Sequence, residues 1–230
     1  AHNIERIEAN CQGKTTIRFV TMGDSQRWYD ETEDFVKEIN KRNDIDFVIH
    51  GGDMSDFGLT KEFLWQRDIM NGLNVPYVVL IGNHDCLGTG AETYKAVFGP
   101  TNFSFIAGNV KFVCLNTNAL EYDYSEPVPN FTFMEQEITS RLDEFEKTVI
   151  SMHARPYTDV FNDNVAKVFQ HYVKQYPGIQ FCTAAHTHHF QDDVIFDDGI
   201  HYVTSDCMDY RTYLVFTITP EKYEYELVKY

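Results

Sequence analysis

The sequence predicts an α/β fold in one domain. Three observations carry this: short β-rich runs that each stop at a glycine-containing polar turn, amphipathic helical stretches between them, and a closing series of short alternating segments. Residues 1–13 are polar and aperiodic and read as an N-terminal extension, which leaves 14–230 as the domain.

The runs 15–22, 46–50 and 77–81 read as buried strands. Between them, 31–42 places Phe35, Val36 and Ile39 on one helical face, and 60–70 does the same with Phe63, Leu64 and Met70, the pattern of crossover helices in βαβ units. Segments 103–106 and 110–115, joined by Ala107-Gly108-Asn109, read as a hairpin. Thr132 with Glu135 makes a capping-box pattern that opens a helix whose Met134, Ile138, Leu142 and Phe145 share a face. A strand at 148–152, a helix at 164–176 and a strand at 179–184 follow. Segments around 194–196, 201–204, 212–219 and 223–228 read as an antiparallel tail. The long irregular stretch is 117–131, rich in acids, prolines and aromatics, which reads equally as a pocket wall or a surface loop.

Composition excludes several classes. With 43% hydrophobic and 23% charged residues, the chain can bury a core and is not a disordered protein. No apolar run approaches the roughly 18–20 residues of a spanning helix. Nineteen basic against 35 acidic residues give a net charge of −16, which repels a nucleic-acid backbone and argues against duplex binding. Five cysteines, odd in number and without CxxC spacing, indicate neither a disulfide framework nor a thiolate zinc site. The numbering begins at Ala1 and not at Met, which reads as removal of a leader or a cloning segment and leans the expectation toward export.

Five polar clusters follow the strands: Gly23-Asp24, Gly52-Asp53, Gly82-Asn83-His84-Asp85, His153, and His186-Thr187-His188. Ligand sites in open α/β sheets form beyond the carboxyl ends of strands, so all five can converge. Singly, each has a bland reading as a turn residue or a structural histidine. Besides His84-Asp85, together they offer two carboxylates, an amide oxygen and three imidazoles, donors that suit divalent manganese, iron, zinc or nickel better than calcium or copper(I).

In this order and motif detail the chain resembles the calcineurin-like metallophosphoesterases, the superfamily of purple acid phosphatases, Ser/Thr phosphatases and phosphodiesterases. Their pattern is GDxH, GDxx, GNH(D/E), a His after a strand, and GHxH. The run Gly82 to Asp85 is the most specific match, and Tyr94, Phe98-Gly99-Pro100 and Phe103-Ser104-Phe105 resemble the family's continuation. The resemblance implies a four-layer α/β/β/α sandwich, two mixed sheets flanked by helices. It also implies a first metal on Asp24, Asp53 and His188 and a second on Asp53, Asn83, His153 and His186, with Asp53 as bridge. A hydroxide between the ions would attack phosphorus in line, and His84 would protonate the leaving oxygen with Asp85 as orienting partner.

Two positions depart from the pattern. Gln26 stands where the first motif has His, a weaker donor to zinc or nickel than imidazole but one able to ligate a hard dication, and Ala185 stands where the last motif has Gly. Asp56 occupies the place of the Tyr that purple acid phosphatases use, which argues against a tyrosinate-bound iron. Arg155 reads either as a phosphate contact or as a surface ion pair. Tyr122, Tyr124 and Tyr157 are candidate substrate contacts, Cys86 and His50 read as structural, His189 as a neighbour of the ligands, and His171 as surface or packing. The expected function is hydrolysis of a phosphomonoester or phosphodiester, on a small molecule or a phosphoprotein, with no obligate protein partner. The competing reading is a catalytically weak metal-binding scaffold or interaction protein of the same fold.

Overall fold

The computed structural model describes residues 2–122 and 125–230. In chain order its elements are α1 (His2–Cys11), β1 (Ile17–Met22), α2 (Tyr29–Ile39), β2 (Phe47–His50), α3 (Thr60–Met70), β3 (Tyr77–Val79), α4 (Gly90–Val97), β4 (Phe103–Ala107), β5 (Val110–Leu115), α5 (Phe131–Thr139), β6 (Lys147–Met152), α6 (Ala166–Val173), β7 (Ile179–Ala184), β8 (Gln191–Asp193), β9 (Tyr202–Thr204), β10 (Thr212–Ile218) and β11 (Tyr223–Lys229).

Two mixed sheets form, ordered β11-β10-β1-β2-β3 and β4-β5-β6-β7-β9-β8. In the first, β1, β2 and β3 are parallel, while β10 pairs antiparallel with both β1 and β11. In the second, β5, β6, β7 and β9 are parallel and the edge strands β4 and β8 antiparallel. Period-two alternation assigns each residue a layer. Phe19, Phe47 and Phe216, opposite one another in register, face the second sheet, and Phe19 meets Phe112 edge-on at 4.9 Å between centroids. Their neighbours Val20, Val48 and Val215 face the other way, onto Phe35, Phe63 and Tyr94 of α2, α3 and α4. The outer face of the second sheet packs on Met134 of α5 and Phe169 and Val173 of α6. The layers are therefore helix, sheet, sheet, helix, as the resemblance implied.

Several local expectations give way. The first residues are not an aperiodic extension: residues 2–11 are helical, and Ile7 and Cys11, one turn apart, are fully buried in the core between the sheets. Glu8 Oε1 accepts from the amide of Ile106, tying α1 to β4. The helix expected to be capped by Thr132 opens two residues earlier, with Asn130 as cap accepting from Phe133 N at 3.0 Å, and it stops at Thr139. Buried Lys111 explains the stop: its ammonium takes the carbonyls of Glu137 and Ser140, the last turn's unpaired acceptors. Leu142 and Phe145 lie beyond that helix. The strand expected at 194–196 is at 191–193, and the tail is only partly antiparallel because β9 joins β7 in parallel.

Candidate metal centre

Parallel β1, β2 and β3 in one sheet and β6 and β7 in the other release their chains at the same edge of the sandwich, and all five clusters follow these strand ends. Backbone bonds lock the loops together. Asp24 N donates to Gly52 O, Ser25 N and Gln26 N both donate to Asp53 O, and Ala185 N donates to His153 O. Buried His50 adds a cross-tie, accepting from Gly52 N at Nδ1 and pairing with Ser25 Oγ at 2.8 Å; burial pushes its pKa down to about 3, so it stays neutral and structural.

Donor atoms then gather in two triads, Asp24 with Asp53 and His188, and Asp53 with His153 and His186. His153 Nε2 lies 3.4 Å from Asp53 Oδ2 and 3.1 Å from Asn83 Oδ1, which adds Asn83 to the second triad. His188 Nε2 lies 3.4 Å from Asp24 Oδ1. The Nδ1–H of His153 donates to Gly51 O at 2.8 Å, fixing the tautomer that offers Nε2. Asp24, Asp53, His186 and His188 have φ of +50°, +57°, +72° and +63°. This left-handed conformation costs side-chain-bearing residues about 1 kcal/mol each and clusters at functional sites.

Gly82 is required by closeness: a Cβ there would fall 2.1 Å from Asp53 Oδ1. Ala185 is tolerated because its methyl packs where a Cβ on Gly51 would meet it at 2.9 Å, so glycine at 51 makes room for alanine at 185.

Burial disfavours charge on both His153 and Asp53, yet each holds the other's: His153 rises to about 9 and Asp53 stays below the usual carboxylate range. The hydrogen bond to Asp24 raises His188. Among the described residues, buried Gln26 Oε1 has no donor, and buried Asp24 Oδ1 has only the long 3.4 Å approach of His188 Nε2. Buried acceptors normally find partners, so this donor set fits cations.

One catalytic assignment changes. Asp85 does not orient His84. It is fully buried and accepts from Asp53 N, Gly82 N, Ser55 N and Ser55 Oγ at 2.8–2.9 Å, stapling the second loop to the third. Burial and the Asp53 charge push its carboxyl up to about 7 against those four donors. His84 instead has Asp56: its Nδ1 meets the Asp56 carbonyl at 2.8 Å and the carboxylate at 3.6 Å, and Arg27 pairs with that carboxylate at 2.5 Å. Arg155 makes an ion pair, bound to Asp193 at 2.9 Å and to Gln191 at 3.1 Å on β8. Tyr157 is half-exposed, its ring 5.7 Å from that of Phe196, outside both triads. Cys86 Sγ donates to Gly82 O, His189 stands against Tyr210, His171 lies on α6, and Tyr124 lies outside the described residues.

Asp159 escaped the sequence reading altogether. Its Oδ1 lies 2.6 Å from His186 Nε2, and nothing in the polar run around it marks that role. Asp56 left a trace, three residues after Asp53.

The family model for calcineurin-like phosphoesterases matches residues 17–190, the span that contains every one of these loops. The chain belongs to that family. Among solved structures, the chain is similar to a dimetal phosphatase from Danio rerio, with TM-score 0.72 and 11% identity over 94% of this chain and 98% of that one. A purple acid phosphatase from yellow lupin seeds matches with TM-score 0.69 and 14% identity, over 95% of this chain and 52% of that one. GAP50, described as the anchor in the inner membrane complex of Plasmodium, matches with TM-score 0.69 and 12% identity, over 94% and 85%. Such identities establish a shared fold. A search of curated protein sequences returns no match. Among the described residues, no helix is long and apolar enough to cross a membrane.

Proposed function

We propose that this calcineurin-like phosphoesterase hydrolyses a phosphomonoester or phosphodiester at the two-triad centre. Asp24, Gln26, Asp53 and His188 would hold one divalent ion, and Asp53, Asn83, His153 and His186 a second. The observation that carries this reading is the sharing of Asp53 by both triads. Two nearby dications repel, and a common carboxylate offsets that repulsion. The mixed oxygen and nitrogen donors suit manganese, iron, zinc or nickel. Such ions would neutralise phosphoryl oxygens and supply a nucleophile near neutral pH.

The chain's own residues do the rest. His153 presents Nε2 because Gly51 O holds its Nδ1–H. Asp56 O holds Nδ1 of His84, which leaves Nε2 to carry a proton to the departing oxygen. The two arginines next to the loops, Arg27 and Arg155, are committed to Asp56 and Asp193. With a net charge of −16, this supports a small phosphate ester or a phosphoprotein over duplex nucleic acid.

A second reading, a scaffold with little turnover, is favoured by Gln26 in the place of an imidazole; the Plasmodium protein of this fold is described as an anchor. Nitrophenyl phosphate and bis(nitrophenyl) phosphate decide between them. Release that vanishes on chelation, returns on reloading, and is lost with both ions in Asp53→Asn supports the enzyme. Tight metal binding without release from either ester assigns the scaffold.

A further inference from the structure

Gln26 separates the two halves of the centre chemically. Its side chain is buried, 2% exposed, with Nε2 3.4 Å from Asp53 Oδ2 and Oε1 without a donor among the described residues. Its backbone amide is held by Asp53 O at 3.0 Å, so the side chain departs from a fixed point beside the shared carboxylate. Asp24 Oδ1, in the same triad, is buried with only His188 Nε2 against it, at a long 3.4 Å. The two poorly satisfied buried oxygens thus belong to one half.

We infer that the two halves select different cations: the half built from Asp24, Gln26, Asp53 and His188 takes a hard, oxygen-preferring dication of the manganese or magnesium class, and the half built from Asp53, Asn83, His153 and His186 takes a zinc-like one. This rests on the dinuclear reading above and deepens it.

The donor count gives the direction. The first half offers two carboxylates, an amide carbonyl and one imidazole, three oxygens to one nitrogen. The second offers one carboxylate, one amide carbonyl and two imidazoles. Hard dications favour oxygen, and imidazole favours zinc. Zinc binds more tightly than manganese to almost any such set, so selectivity lies in the ratio between the halves and in ion supply. Trading one imidazole for an amide oxygen shrinks zinc's advantage in the first half alone.

The amide also suits both states of the site. Its oxygen and nitrogen ends are nearly the same size and exchange by a half-turn about the last side-chain bond. Without an ion the NH₂ end can face the Asp53 carboxylate, as it does here; with one, the oxygen end can turn inward. A histidine has no equivalent half-turn that trades a donor for an acceptor in place.

The test loads the chelated 230-residue chain by dialysis against manganese in about 100-fold excess over zinc. Metal content and the electron paramagnetic resonance of bound manganese are the readouts. One manganese and one zinc per chain are expected. Gln26→His should raise zinc's advantage at the first half by roughly tenfold or more and convert the protein toward two zincs. Gln26→Leu should lose the manganese and keep the zinc. If Gln26→Leu fails to fold, Gln26→Glu serves, and tighter manganese with zinc at the second half unchanged is expected. Two zincs per parent chain under the same excess, or full manganese retention by Gln26→Leu, would overturn the inference and leave the dinuclear centre intact. A parent chain that binds neither ion would overturn both.

Discussion

Asp159 Oδ1 stands 2.6 Å from Nε2 of His186, and that contact joins the loop after β6 to the loop after β7. Asp159 is the exposed partner, at 84% of its side chain, while His186 is largely covered. A carboxylate on one ring nitrogen sets the tautomer, so the other nitrogen, Nδ1, carries the lone pair. The hydrogen bond to His186 holds the Asp159 carboxyl below its ordinary range.

Asp159→Asn should therefore weaken the second ion by about 10- to 100-fold while the first is spared. Calorimetric titration of the chelated protein with zinc would resolve the two steps. Equal affinities in parent and variant would leave Asp159 as a surface residue with a convenient neighbour.

His84 should matter according to what leaves. His84→Ala is expected to keep its metals and to slow an alkyl phosphate far more than nitrophenyl phosphate, because only a poor leaving group needs the proton. Asp56→Ala should show a weaker form of the same split. A uniform loss across leaving groups would move His84 to binding.

Metal-free and metal-loaded protein should respond to pH with opposite signs. In the metal-free chain, burial works against a charged His153 but Asp53 prevails and raises it to about 9 from an ordinary 6.5. A group raised on folding contributes its full stability below the unfolded value and loses it as pH climbs through the folded one, so stability falls between pH 6.5 and 9. His188, raised beside Asp24, adds the same sign, as does Asp85 at the lower end of the window. Metal loading requires the imidazoles free of protons, so ion affinity rises over the same window. Melting temperatures of chelated and loaded samples across this range would show it; parallel slopes would refute it.

The N-terminal helix should be part of the folding unit. Ile7 is fully buried between the sheets, so Ile7→Ala is expected to cost about 2–4 kcal/mol in denaturant unfolding, and deletion of residues 1–13 more. A change within error in both would return the segment to the status of an appendage.

Much of the centre was legible because strand ends aggregate. Asp24, Asp53, Asn83, His153, His186 and His188 each follow a run of β-branched or aromatic residues, and parallel strands deliver them to one edge. Asp85 misled, since its four donors are three backbone amides and a hydroxyl from loops up to 32 positions away, and backbone groups leave no mark in a sequence. The partner of Arg155 was hidden because β8, which supplies the carboxylate, is too short and polar to recognise as a strand. Helix α1 hid because it has few apolar positions, Ile4, Ile7 and Cys11, spaced for one face within an otherwise polar stretch.

The left-handed backbone at His186 and His188 sets a limit on engineering. Glycine at either position would relieve the conformational penalty and remove a donor in one step. A library screened for heat resistance alone would drift toward glycine there and yield a robust, inert sandwich. Stabilising this protein without losing its centre calls for screening with the ions bound, so that variants deaf to metal forfeit the ligand's contribution to their own melting point.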